Sequence, residues 1–188
     1  MARAPLRHDH RRERREVERP HDLLGEAQAH LAPRGGGPSA EGARRALAAV
    51  PAPGRLEVVR GSPLVVVDAS HNPAGMAVTT RALREAFPDT GFVAVVAALA
   101  DTDVAGMLGE LEGLADEVLV TAGASERSLA ARELATLAAD RFGAPRARVH
   151  ACLDAALADA LERVGDDRGV LVTGSVVTAG EARRLLTR

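Results

Sequence analysis

Lysine does not occur anywhere in these 188 residues, so every basic side chain other than histidine is an arginine. That absence excludes a phosphate-binding loop of the GxxxxGK(S/T) type, whose lysine reaches the β- and γ-phosphates, and any chemistry that runs through a lysine Schiff base. Tryptophan and tyrosine are also missing and phenylalanine occurs only three times, which leaves a core of Val, Leu and Ala and no platform for stacking nucleic-acid bases. Cys152 is the sole cysteine. It excludes an internal disulfide and any multi-cysteine zinc site, and reads as a small buried apolar residue in a reducing compartment. No apolar run has the length of a membrane span, and the first residues alternate Arg and Glu where a secretion signal would be apolar, so a cytoplasmic protein without membrane contact is expected. A net charge of −2 offers no bulk attraction to nucleic acid or an acidic surface.

Residues 1–40 differ from the rest. The stretch "RHDHRRERREVERPHD" is dense in charge, and "APRGGGPSAEG" breaks regular structure, so this region is expected to be a disordered charged tail. Its histidines, His8, His10, His21 and His30, have no ligand spacing. Residues 41–188 read as one domain. "EGARRALAAV" predicts a short helix that "PAPG" stops. Six β-branched runs follow, "RLEVVR", "LVVVD", "GFVAVVAAL", "DEVLVT", "RARVHA" and "GVLVTGS", separated by amphipathic segments of helical length. Such alternation predicts an α/β domain with a doubly wound, mostly parallel sheet. Pro73 suits a first helical turn, Ser128 is the expected cap of "LAARELATLAADRF", Gly143 its stop, and the last helix is expected from about Ala179.

Ligands of open α/β sheets bind beyond the carboxyl ends of the strands, which selects the loops "DASHNPAG", "ALADTD" and "TGSVVTAGE". Asp68, ending a buried strand, suits either two ribose hydroxyls or a cation, or else a helix cap that Asn72 would serve equally. His71 exchanges a proton with a group in the same crevice or is an ordinary loop residue. The small residues Thr173, Gly174 and Ser175 let an anion approach backbone N–H groups, or form a tight turn and nothing more. Neither GxGxxG nor GxSxG is present.

Taken together and in order, "PGRLEVV", "VVVDASHNPAGM", "ALADTDVAGML" and "VLVTGSVVTAGEAR" resemble the C-terminal domain of the dihydrofolate synthase/folylpolyglutamate synthase family, within the Mur ligase superfamily, from about Glu41 to Arg188. The resemblance implies a Rossmann-like domain of an ATP-dependent amide ligase. Such a ligase joins L-glutamate to dihydropteroate or to the terminal glutamate of a folate such as tetrahydrofolate, by phosphorylating the substrate carboxylate before the amine attacks. It implies that Arg55 meets nucleotide phosphate with its planar donor fork, and that Asp68 faces the ribose or orients its neighbours. It further implies that His71 and Ser175 hold the incoming glutamate and serve catalysis, His71 either as base or as binding group.

The departures from the family are equally informative. Its enzymes are considerably longer, with an N-terminal ATPase domain carrying a phosphate loop, magnesium ligands and a modified lysine, none of which this chain contains. No metal site is therefore expected in it, and the isolated chain, expected to be a monomer, should lack ligase activity. A free-standing nucleotide or amino-acid binding module, or a nonfunctional truncated or frameshifted relic, are the alternatives. Ser70 replaces the usual alanine of the aspartate loop, and Thr102 stands where the family often has lysine.

Overall fold

A computed structural model describes residues 54–165 and 167–187. The tail expected over 1–40, the helix expected within 41–50 and the boundary between them lie outside the described residues. All six expected strands form: β1 (Glu57–Gly61), β2 (Leu64–Val67), β3 (Gly91–Val96), β4 (Ala115–Val120), β5 (Ala147–Val149) and β6 (Arg168–Thr173). Five helices alternate with them: α1 (Pro73–Ala86), α2 (Val104–Leu111), α3 (Ala131–Phe142), α4 (Leu153–Val164) and α5 (Val176–Leu186). The sheet order is β1-β2-β6-β3-β4-β5, parallel throughout except for β1, which runs antiparallel to β2.

Continuous apolar runs form the central strands because both of their faces are covered. Val66, Ala94, Val96 and Leu171 meet α1, α2 and α3 on one side through Met76, Leu83, Met107, Leu111 and Leu134. Val65, Val67, Val93, Val95, Val170 and Val172 meet α4 and α5 on the other through Leu157, Ala160, Ala179 and Ala182. The alternating side-chain directions of a strand thus supply two separate cores from one run of residues.

Helix α1 begins just after Asn72, whose side-chain oxygen accepts from Gly75 N at 2.8 Å, with Pro73 in the first turn. Its buried residues Met76, Thr79, Thr80, Leu83 and Ala86 recur at three- and four-residue spacing, placing one face on the sheet. Replacing Asn72 by alanine is expected to cost about 1 kcal/mol, because the Gly75 N–H loses its acceptor. Urea denaturation checks this, and an unchanged midpoint would contradict it.

Three expectations need correction. Ser128 does not cap α3: the cap position is Ala130, without a side-chain bond. A bridge between Leu99 and Ser128, and the Leu129 N to Ala98 O bond at 2.9 Å, keep the chain extended past Ser128, whose hydroxyl accepts from Gly123 N at 2.7 Å. Helix α5 starts three residues before Ala179, because Ser175 supplies its cap. Cys152 is exposed, not buried, since it follows the short edge strand β5, where Val149 is itself exposed.

Candidate functional site

Strands β2 and β6 are neighbours, yet α1 leaves β2 toward one face and α5 leaves β6 toward the other. The divergence opens a crevice beyond their carboxyl ends, the position at which open α/β sheets receive ligands. Antiparallel β1 contributes to the same rim. Glu57 pairs with Val67, so the residues just before β1, including Arg55, arrive at the carboxyl end of β2.

Asp68 follows β2 and is buried, 5% exposed, with its N–H bonded to Val172 O at 2.9 Å. Its carboxylate accepts three hydrogen bonds from the chain. Leu56 N reaches Oδ2 at 3.0 Å, Ser70 N reaches Oδ1 at 2.9 Å, and Thr79 Oγ1 reaches Oδ1 at 2.8 Å. Both carboxylate oxygens are thus engaged within the chain, and the capping of α1 falls to Asn72. The Ser70 hydroxyl lies 2.9 Å from Thr79 Oγ1, so the serine standing at the family's usual alanine position joins this network.

The turn after β6 is tied to its neighbours by its backbone. Gly174 N donates to Ser70 O at 3.1 Å, and Ala97 N donates to Thr173 O at 3.3 Å. Ser175 is buried and caps α5, its hydroxyl accepting from Thr178 N at 3.0 Å and lying 2.7 Å from Thr178 Oγ1. Thr178 in turn donates to Ala97 O at 3.0 Å. Ser175 therefore stands at the crevice with its hydroxyl inside the cap, and orders the free N–H groups of the first turn of α5.

His71 and Arg55 are the exposed members. His71 Nδ1 lies 3.0 Å from Ala69 O. A carbonyl only accepts, so Nδ1 carries a proton and the neutral ring holds its lone pair on Nε2. Arg55 is exposed and pairs with no carboxylate among the described residues. The loops after β3 and β4 close the rim's far end: Arg127 donates to Asp101, holding that carboxyl below its ordinary range, and Arg127 O accepts from Ala100 N at 2.9 Å. Thr102 closes its own turn by donating to Leu99 O at 2.8 Å.

The structure thus gathers Arg55, Asp68, His71 and Ser175 along one rim, two displayed and two built into its frame. Thr79 and Thr178 escaped sequence reasoning, because their partners, Asp68 and Ala97, are brought to them only by the fold. The magnesium implied by the resemblance finds no ligand set among the described residues, where no three His, Cys, Asp or Glu side chains come together. Among the same residues, no helix is long and apolar enough to cross a membrane.

The fold is thus a doubly wound α/β domain whose carboxyl rim carries an arginine, a histidine and a capped helix start. A family model described as "Mur ligase, glutamate ligase domain" matches residues 54–176. The chain belongs to this family, as a C-terminal domain of the dihydrofolate synthase/folylpolyglutamate synthase branch. It is 40% identical over 158 residues to a dihydrofolate synthase/folylpolyglutamate synthase of Mycobacterium tuberculosis, covering 77% of this chain and 32% of the relative. A solved Mycobacterium tuberculosis folylpolyglutamate synthase complexed with ADP superposes with a TM-score of 0.70 at 41% identity, over 76% of this chain and 34% of that one. A bifunctional enzyme of the same kind from Yersinia pestis, solved with Mn, AMPPNP and L-glutamate bound, gives 0.64 at 28% identity, over 80% and 35%. The chain spans about a third of the length of these relatives.

Proposed function

We propose that this chain is the glutamate-handling domain of an ATP-dependent ligase that adds L-glutamate to dihydropteroate or to a folate. Its carboxyl rim forms one wall of a two-domain active site. The observation that carries this reading is the placement of Arg55: antiparallel β1 brings this exposed arginine, which pairs with no carboxylate among the described residues, to the carboxyl end of β2 beside the crevice. A guanidinium keeps its charge at any working pH, and its planar fork matches phosphate oxygens. The relatives solved with ADP or with AMPPNP and L-glutamate support a nucleotide and an amino acid as the ligands.

Within that wall, Arg55 binds nucleotide phosphate and Asp68 supports it from behind. His71 presents Nε2 to the incoming amino acid, either accepting a proton from its ammonium group or hydrogen-bonding to it. The first-turn N–H groups of α5, ordered by Ser175, face a carboxylate of the glutamate. ATP supplies the phosphoryl group that activates the acceptor carboxylate. The groups that hold its β- and γ-phosphates belong to a complementary ATPase domain, since this chain has neither a lysine nor, among the described residues, a metal cluster.

The isolated chain is accordingly expected to bind ADP weakly and to release none from ATP in the presence of glutamate and folate. Arg55→Ala should weaken ADP binding by about tenfold to a hundredfold, the value of a charge-assisted contact, and leave the melting temperature unchanged. Isothermal titration of both proteins checks this. Equal affinities, or glutamate-dependent ADP release by the 188-residue chain, would refute the reading.

A further inference from the structure

The turn that carries Arg55 has an unfavourable backbone. Gly54 has φ of +73° and Leu56, a non-glycine residue, has φ of +46°. A branched side chain in the left-handed region costs about 1 kcal/mol or more and persists only where its surroundings over-determine it.

Two carboxylates do so, one on each side of the arginine. Asp68 Oδ2 accepts from Leu56 N at 3.0 Å, and Glu57 Oε2 accepts from Gly54 N at 2.8 Å. Glu57 is held in turn by Arg183, whose Nε lies 2.9 Å from Oε1 and 3.2 Å from Oε2. Gly54 is buried, and a Cβ placed on it would lie 3.5 Å from the Ala179 side chain, so the turn rests on α5. Ala179 and Arg183 are one helical step of four residues apart, and Ser175, the cap at the crevice, is one such step earlier. One stripe of α5 therefore carries the crevice cap, the seat of the turn and the anchor of its clamp.

We propose that Glu57 and Arg183 are positioning residues for Arg55: with Asp68 they clamp the two amides that flank it, and so fix the guanidinium where a nucleotide phosphate meets it. The proposal rests on the reading of Arg55 as a phosphate ligand. It makes the nucleotide affinity of the rim depend on a carboxylate and an arginine that touch no ligand.

The sign of one effect separates the clamp from simple electrostatics. Glu57→Ala removes a negative charge, so the protein's field alone would make an anionic nucleotide bind more tightly. The clamp requires weaker binding, by about three- to tenfold, the scale of coupling between groups in one network. Arg183→Ala should weaken ADP binding by a similar factor. Neither change should add to Arg55→Ala, because both act through that side chain. Titration of ADP against the three single variants and the two double variants, together with amide hydrogen exchange at Gly54 and Leu56, decides the matter. Faster exchange at Gly54 in Glu57→Ala, weaker ADP binding and non-additivity with Arg55→Ala support the clamp. Unchanged exchange, tighter binding or full additivity overturns it. If the wild-type chain binds no ADP, the nucleotide reading itself fails and the positioning role falls with it, while the exchange data still report whether the turn is clamped.

Discussion

Gly174→Ala is expected to destabilise the domain by about 3 kcal/mol or more, combining a left-handed backbone with a collision that has no soft partner. Gly174 has φ of +112°, and a Cβ built there would lie 2.6 Å from Ala97 O and 3.2 Å from Val96 Cγ1. The carbonyl cannot swing away, because Ala97 O already accepts from Thr178 and Ala97 N donates to Thr173 O. Relief requires β3 and β6 to separate at their carboxyl ends, where α5 is capped. Urea denaturation should show a lower midpoint at an unchanged slope. A loss below about 1 kcal/mol would mean that the turn adapts, and that the rim is softer than its hydrogen bonds imply.

Asp68→Ala should cost about 3 kcal/mol, since it strands three donors that were satisfied at a buried carboxylate, and a buried unsatisfied donor costs about 1–3 kcal/mol. The donors are Leu56 N, Ser70 N and Thr79 Oγ1. Thr79→Val, which removes the one donor that is itself a side chain, should cost less than half as much. The double variant should lose less than the sum of the two, because both changes break the same bond. Chemical denaturation of the four proteins closes the cycle. Strict additivity would show that Asp68 and Thr79 do not act as one network, and a neutral Asp68→Ala would return Asp68 to the role of a ligand-facing carboxylate with little structural duty.

The two layers of helices and the six strands were legible because the chain's apolar runs are short, β-branched and evenly separated. "LVVV" and "GFVAVV" suit strands buried on both faces, and their alternation with helical segments points to a parallel sheet. The loops that carry the rim were legible for the same reason, since parallel strands place their carboxyl ends together. Partner identity was not. Thr178 bonds to Ala97, 81 positions away, and Arg183 to Glu57, 126 positions away, and neither contact leaves a local trace in the pattern. Ser128 misled because a serine before a helical run reads as a cap, whereas tertiary pairing with Leu99 held it in extended structure. Cys152 misled because burial was inferred from residue type, while its place after an edge strand exposes it. Asp68 lay between: its burial was predictable from the strand that precedes it, but the three donors that claim its oxygens appear only in the fold.

Whether the carboxyl rim around Arg55 receives a nucleotide phosphate is decided by titrating the nitrogen-15-labelled chain with ADP and following the amide chemical shifts. Saturable shifts are expected at Arg55 and Leu56, at Ser70–Gly75 and at Gly174–Thr178, and in Arg55→Ala the remaining ones should need about tenfold to a hundredfold more ADP. Absence of shifts, or shifts at the opposite, amino ends of the central strands near Ser62, Thr90 and Arg168, would overturn that reading.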